Sequence, residues 1–383
     1  MNILMLVAQI YPDVRGGAET QCWRQAKALA ARGHVVTVLT RWQNEGTPRW
    51  ETKEGVRIGR MGWYLPWMAK RREWNRRIRR IIGIVAPAGS SSPERTGIIN
   101  RGHTSSPRLS WNVALWLANT SFVLDLSFWL LFGPTKVDVI HAHASGLLAG
   151  FSQWAGEEIS VAVFWKEAFF PVLVYGQAEG IPWKENWRRR RVKCRFIAIT
   201  DAIANGLKEV GIPPHRIVEI SNGVELPERI ADPENCADAI YMGNFSQGME
   251  HKGFDVLLKA WGKAIQMEPG MRLRLFGGGD ARPWKEYAQA QGAGESVFFE
   301  GSTDDVWTAY RQGGVLLLPS RMEGLSNALL EGMASGLPAI VSDIPGNTAV
   351  VNDGVEGLVV PVGDVDLLAS AMVRLYRSPL LRS

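Results

Sequence analysis

Two glutamates eight positions apart, Glu323 and Glu331, stand in the chemically densest segment of the chain, PSRMEGLSNALLEGMASGLPAIVSDIPGNTAVVNDGVEGLVVP over Pro319–Pro361. The apolar run ending at Leu318 reads as a strand, the stretch holding Glu323 and Gly324 as a loop, and Leu325–Ser335 as a helix that carries Glu331. Eight residues is a little over two helical turns, so both carboxylates can reach a ligand lying across the helix start. Gly324 lets backbone approach, and the free N–H groups around Leu325 and Ser326 suit a phosphate at the positive end of the helix. Taken singly, each acid has an ordinary reading, Glu331 as a solvated helix residue and Glu323 as a loop acid. The strand–loop–helix setting of the pair favours a binding site.

Other candidates sit at equivalent places. Gly16 and Gly17 separate a first strand from a first helix, where backbone amides can cradle a diphosphate. Asp138-Val-Ile-His141-Ala-His143 ends a strand, and two His at i and i+2 face the same side. No third metal ligand stands near them in sequence, and one of the two is expected to be a structural histidine. Asp364-Val-Asp366 has the spacing of a metal pair but reads better as a helix cap.

The Pro319–Pro361 segment resembles the donor site of the GT-B-fold retaining glycosyltransferases, family four (glycosyl transferases group 1), through Pro319, Ser320, Glu323, Gly324, Leu330, Glu331, Met333, Ala334, Gly336 and Pro338. The resemblance implies that Glu323 contacts sugar hydroxyls, that Glu331 contacts ribose hydroxyls, and that a His beside the donor sugar is His143, with His141 second. Met242-Gly243-Asn244 … His251-Lys252-Gly253 resembles the family's Gly-Arg … Lys-Gly element, in which the cations neutralise the leaving diphosphate. Lys252 matches. Asn244 stands where the family has Arg, so a second cation has to come from elsewhere, Arg321 being the candidate. Gly277 opens a Gly triplet resembling the loop that approaches the nucleotide. Two further departures are Ala349, where the family has Glu, and an end at Ser383 without the helix that crosses back to the first domain.

These residues need a scaffold that the rest of the chain supplies. Strands are expected at Asn2–Ala8, Val35–Thr40, Val137–His141, Val161–Trp165 and Phe196–Thr200, with helices at Ala18–Arg32 and, capped by Asp201, at Ala202–Val210. After a polar linker, Pro227–Asp238, strands near Ala239–Met242, Arg272–Phe276, Val297–Glu300, Val315–Leu318, Ala339–Val341 and Gly357–Val360 alternate with helices such as Gly253–Gln266 and Asp364–Tyr376. The expected fold class is α/β, GT-B architecture: two Rossmann-like doubly wound domains, 1–225 for the acceptor and 226–383 for the nucleotide-sugar donor, facing a central cleft. An insertion at about 68–135 interrupts the first. It holds the basic run Lys70–Arg80, a Ser/Gly/Pro-rich stretch at Gly89–Pro107 that reads as a mobile loop, and the apolar run Trp111–Gly133.

The 383 residues, 46% hydrophobic and 21% charged, describe a globular chain of two domains. Cys22, Cys194 and Cys236 show no zinc or disulfide spacing, and the first residues read as a strand, so a cytoplasmic protein is expected. Trp111–Gly133 approaches membrane-spanning length but contains Asn119 and Asp125, which favours a buried or interfacial helix. Thirteen of the sixteen Trp precede Val224, as do the basic runs Lys70–Arg80 and Trp187–Arg195. Without a nucleic-acid motif, this pattern points to an anionic membrane surface on the inner face of the cell membrane. The resemblance implies metal-independent, cofactor-free hexosyl transfer with retention, from a nucleotide-sugar to an acceptor that this pattern suggests is a saccharide or lipid-linked one, as in cell-surface polysaccharide assembly. The alternative is a catalytically impaired homologue serving as a membrane-associated binding or partner subunit.

Overall fold

The computed structural model describes residues 1–7, 16–42, 46–62, 122, 124–129, 136–143, 161–167, 194–209, 212–246 and 249–383. Lys70–Arg80, Gly89–Pro107, most of Trp187–Arg195 and most of Trp111–Gly133 lie outside them. Two compact units divide the chain: Met1–Trp165 with Val192–Cys194, and Lys166–Arg191 with Arg195–Ser383.

One sheet of eight strands is built from β1 (Asn2–Val7), β2 (Val35–Arg41), β3 (Trp50–Lys53), β4 (Val56–Met61), β5 (Val139–His143), β6 (Ala162–Glu167), β7 (Cys194–Ala198) and β8 (Ile217–Glu219), in the order β3-β4-β2-β1-β5-β6-β7-β8. Helix α1 (Gly17–Ala31) joins β1 to β2, and α2 (Asp201–Glu209) precedes β8. The strands of this sheet's core are near-continuous apolar runs because helices and sheet bury both faces; Leu4, Met5, Leu6, Val38 and Ile58 are wholly inside. By hydrogen bonding β7 and β8 belong to this sheet, although by compactness Arg195 onward groups with the second unit. Strand β5 runs two residues later than the sequence pattern predicts and so contains His143. The cap of α2 is Thr200, whose Oγ1 accepts from the Ile203 amide at 3.4 Å; Asp201, the expected cap, is the helix's first residue.

Strands β3 and β4 were not anticipated. They form an antiparallel hairpin, pairing Lys53 with Val56 across the two-residue loop Glu54-Gly55. Both loop residues have positive φ, 49° and 76°, as a type I′ turn requires. Glutamate is a poor residue for that conformation, and the charged strand WETK carries little apolar signal, which hid the hairpin. Around Gly62 the chain meets the residues described from the apolar run. The Gly62 amide donates to Asp125 Oδ2 at 2.9 Å, Arg49 pairs with the same carboxylate, Phe122 and Leu126 are buried, and Leu124 and Phe128 are exposed. No helix among the described residues is long and apolar enough to cross a membrane.

The second sheet is wholly parallel. Its strands are β9 (Ala239–Met242), β10 (Leu273–Phe276), β11 (Val297–Gly301), β12 (Val315–Leu318), β13 (Ala339–Ser342) and β14 (Gly357–Val360), in the order β11-β10-β9-β12-β13-β14. That is the doubly wound nucleotide-binding order, with its switch point between β9 and β12. Helices α3 (Phe254–Met267), α4 (Arg282–Ala290), α5 (Val306–Tyr310), α6 (Asn327–Ala334), α7 (Pro345–Thr348), α8 (Val365–Arg377) and α9 (Pro379–Arg382) cover it. Helix α6 begins two residues after the expected Leu325, with Ser326 as its extended N-cap. Asp364 caps α8 by accepting from the Asp366 and Leu367 amides, so the cap reading of that pair holds. Arg382 is buried without a carboxylate partner among its described contacts; its guanidinium donates to the carbonyls of Pro233, Glu234, Leu375 and Tyr376.

The turn geometry gives a stability test. Glu54→Asn places a residue tolerant of positive φ in the type I′ loop and should stabilise the protein by about 1 kcal/mol, the scale of the left-handed penalty. A rise in the urea midpoint at unchanged slope is the expected result; an unchanged midpoint would mean Glu54 is not strained.

Candidate active site

In a parallel sheet every strand ends on the same edge, so the loops leaving β9, β10, β12 and β13 converge there. Backbone contact locks them together. The Gly243 amide donates to Phe276 O at 2.9 Å, the Phe245 amide to Gly278 O at 3.0 Å, and the Arg321 amide to His251 O at 2.7 Å. Three glycines make this closeness possible. A Cβ on Gly277 would lie 1.8 Å from Gly243 O, one on Gly253 1.9 Å from Pro319 O, and one on Gly346 2.4 Å from Glu323 O. Gly253 also needs its φ of +66° to end the single 3-10 turn Glu250–Lys252 and begin α3.

Lys252 and Glu323 meet at the switch point. Lys252 Nζ lies 2.5 Å from Glu323 Oε1, and the same oxygen accepts from Ser320 Oγ at 3.1 Å. The glutamate side chain is 9% exposed and the lysine 25%, so the pair is shielded yet reachable. Behind it, on β9, the Tyr241 hydroxyl is buried and makes no hydrogen bond among the described residues. Burial first, and the Glu323 charge second, hold that phenol protonated well beyond the ordinary tyrosine range. His251, next to the ammonium, is pushed below the usual imidazole value by burial and then by Lys252, against the opposing pull of Glu323 and Glu250.

The other candidates take definite positions. Glu331 is buried on α6 rather than solvated; the Tyr310 hydroxyl lies 3.4 Å from its Oε2 and donates to Ala328 O at 3.1 Å. Gly324, Leu325 and Ser326 form the approach to α6, with Leu325 and Ser326 buried. Asn244 Oδ1 accepts from the Ser246 amide at 2.8 Å, closing its own turn, and Trp284 Nε1 pins that turn by donating to Phe245 O at 2.7 Å. Ala349 is exposed just past α7. Arg321 forks onto Asp255, with Nη1–Oδ1 at 2.8 Å and Nη2–Oδ2 at 2.7 Å. Sequence reasoning did not pick out Asp255 or Tyr241. Only the acid in the first turn of α3 left a signal, as a partner for the helix dipole.

In the first unit, Gly16 is the extended N-cap of α1. The Glu19 carboxylate folds back so closely that a Cβ on Gly16 would sit 2.2 Å from Glu19 Oε2, and burial raises the pKa of that acid. Gly17 is the first residue of α1. His143 is 6% exposed at the end of β5, paired in register with Val7 of β1, and its ring centroid is 4.2 Å from that of His141. Among the described residues no group of three His, Cys, Asp or Glu is placed to hold a metal ion.

Residues 16–223 match the glycosyl transferase 4-like domain, and residues 237–378 match the glycosyl transferases group 1. A phosphatidyl-myo-inositol mannosyltransferase of Mycobacterium leprae (strain TN) is 30% identical over 315 residues, covering 79% of this chain and 80% of that protein. A second phosphatidyl-myo-inositol mannosyltransferase, from Mycolicibacterium smegmatis, is 30% identical over 176 residues and is covered over 44% of its length. Among solved structures, sucrose-phosphate synthase from Thermosynechococcus elongatus superposes with a TM-score of 0.72 at 20% identity, covering 99% of this chain and 90% of that one. Anabaena HepE in complex with UDP-glucose does so with a TM-score of 0.62 at 15% identity, covering 97% and 88%. These likenesses show the GT-B fold.

The interlocked glycines predict a graded response to an added methyl. Gly253→Ala combines a positive φ with a carbonyl in the way and should cost about 2–4 kcal/mol. Gly354→Ala, at a φ of +76° with open space around it, should cost only about 1 kcal/mol. Equal losses in thermal or urea unfolding would show that the two loops are not in backbone contact.

Proposed function

The chain belongs to the GT-B glycosyltransferases, and we propose that it moves a hexosyl group from a nucleotide-sugar bound in residues 226–383 to a saccharide or lipid-linked acceptor bound by residues 1–225. The observation that carries this reading is the Lys252–Glu323 pair at the switch point of the second sheet, where doubly wound sheets take nucleotides. HepE was solved with UDP-glucose, which supports a nucleotide-sugar donor. The name of the mycobacterial relatives supports a lipid-linked acceptor.

In the proposed reaction the bond between the anomeric carbon and the diphosphate oxygen breaks, a bond to the acceptor hydroxyl oxygen forms with retention of configuration, and the hydroxyl proton passes to the departing diphosphate oxygen. The nucleoside diphosphate leaves with its negative charge. Lys252 and the amide dipoles at the Leu325–Ser326 start of α6 stabilise that charge as it develops, without a metal. Glu323 receives the sugar hydroxyls and Glu331 the ribose hydroxyls. Gly277, Asn244 and Gly324 bring backbone to the nucleotide. A second reading, a binding or partner subunit with impaired catalysis, is favoured by one observation: Asn244, at the family's Arg position, spends its oxygen on its own turn and supplies no cation. Donor hydrolysis at measurable rate would dismiss that reading; tight donor binding without turnover would establish it.

Glu331→Ala should weaken nucleotide-sugar binding by about 1.5–3 kcal/mol, the value of a hydrogen bond to a charged group. Calorimetry on the folded variant is the check, and unchanged affinity would remove Glu331 from the donor site.

We further propose that the protein works on the cytoplasmic face of the cell membrane, docked peripherally to anionic lipid. Its basic runs lie in the acceptor half; there too, Leu124 and Phe128 are exposed near a Trp50–Trp129 contact with Arg57 over the Trp50 ring. Each Lys or Arg near the leaflet contributes about 1 kcal/mol. Pelleting with vesicles should therefore require anionic lipid and fall as salt rises. Equal pelleting with neutral vesicles, or none with either, would end the electrostatic proposal.

A further inference from the structure

We propose that Arg321 is a positioning residue for Lys252: with Asp255 it forms a clamp around the turn that carries the lysine. The inference rests on the reading of Lys252 as the partner of the donor diphosphate. Local bonds close the turn Glu250–Lys252: Lys252 N donates to Met249 O at 2.9 Å and Gly253 N to Glu250 O at 3.2 Å. Arg321 grips it from outside at three points. Its amide donates to His251 O at 2.7 Å, its Nη1 to Glu250 O at 2.6 Å, and its fork to both oxygens of Asp255. The contacts fall on residues before Lys252 and after it, so the lysine's backbone is fixed from both sides. Its own side chain is left to meet Glu323.

The chemistry argues against Arg321 as a direct phosphate ligand in this arrangement. Two parallel charge-assisted bonds already satisfy its planar fork, and the carboxylate neutralises its charge. Moving it to a phosphate would break both bonds and the one to Glu250 O. Asp255 is well placed to hold it, being in the first turn of α3 where the helix dipole favours an anion. Both partners are partly exposed, 38% for Arg321 and 46% for Asp255. A pair so exposed adds little to global stability, so its effect is local geometry.

Arg321→Ala and Asp255→Ala test the clamp. In both, amide hydrogen exchange across residues 249–253 should quicken about tenfold while the unfolding temperature stays near that of the unaltered protein. Affinity for whichever of UDP, GDP or ADP the unaltered protein binds best should fall about tenfold in both variants. Neither should fall further in a Lys252→Ala background. Arg321→Lys should behave as Arg321→Ala, since an ammonium cannot fork. If Asp255→Ala binds the diphosphate more tightly while Arg321→Ala binds it less, Arg321 is a direct ligand and the clamp is wrong. Unchanged exchange in both variants, or full recovery with lysine, overturns it equally. Should the unaltered protein bind none of the three nucleotides, the donor reading fails, and the exchange measurement still decides the clamp.

Discussion

Lys252 and Glu323 are 71 residues apart in the chain and touch only because two loops are pressed into backbone contact. Everything else at the candidate site depends on that closeness. Gly253 gives up a side chain so that Pro319 O can lie against it, and Gly277 and Gly346 do the same for Gly243 O and Glu323 O. A fold held this way fixes the backbone that carries its charges, because carbonyl oxygens and α-carbons cannot change rotamer. The cost lies in the glycines themselves, which lose more freedom on ordering than any other residue. The packed core beneath, with Tyr241, Phe254, Leu257 and Trp261 between sheet and α3, offsets it.

The ion pair has a consequence for how a donor is received on the proposed reading. Both charges are partly withdrawn from water, and each is compensated by the other. A buried charge deprived of its partner is expensive, so neither residue can be turned toward a ligand alone. A diphosphate that draws off Lys252 leaves Glu323 needing donors, and sugar hydroxyls provide them. Phosphate and sugar recognition are thus coupled through one contact. A nucleoside diphosphate lacking its sugar satisfies only half of the exchange. Ser320, buried and already donating to Glu323, softens the penalty during the exchange.

Much of this was legible in the sequence, for identifiable reasons. The parallel strands are continuous apolar runs, so their positions emerged within a residue or two, and the two-sheet α/β plan followed from their alternation with helices. Glu323 and Glu331 stood out through their strand–loop–helix setting, and Lys252 through the resemblance of His251-Lys252-Gly253 to the family's Lys-Gly element. The hairpin β3–β4 was not, since its type I′ turn uses Glu54 in place of the usual asparagine. The Arg321–Asp255 fork was out of reach as well. The two residues are 66 positions apart, and nothing local distinguishes a cation that meets a phosphate from one already engaged by a carboxylate. Glu331 looked equally able to be solvated; only the packing of α6 against Tyr310 shows it buried.

The two sheets solve one problem in the same way. A parallel strand buried on both faces has no room for polar chemistry along its length, so functional groups have to gather where strands end. Of those ends, the pair where crossovers diverge to opposite sides is the least crowded, because no connecting helix covers it. In the second sheet that pair is β9 and β12, and Lys252 and Glu323 lie just beyond them. In the first it is β1 and β5, and His143 ends β5 in register with Val7. A buried histidine at that place is hard to account for by packing alone, since a branched apolar residue would fill the position without a ring nitrogen to satisfy. His143 thus occupies in the first sheet the place that Lys252 and Glu323 border in the second.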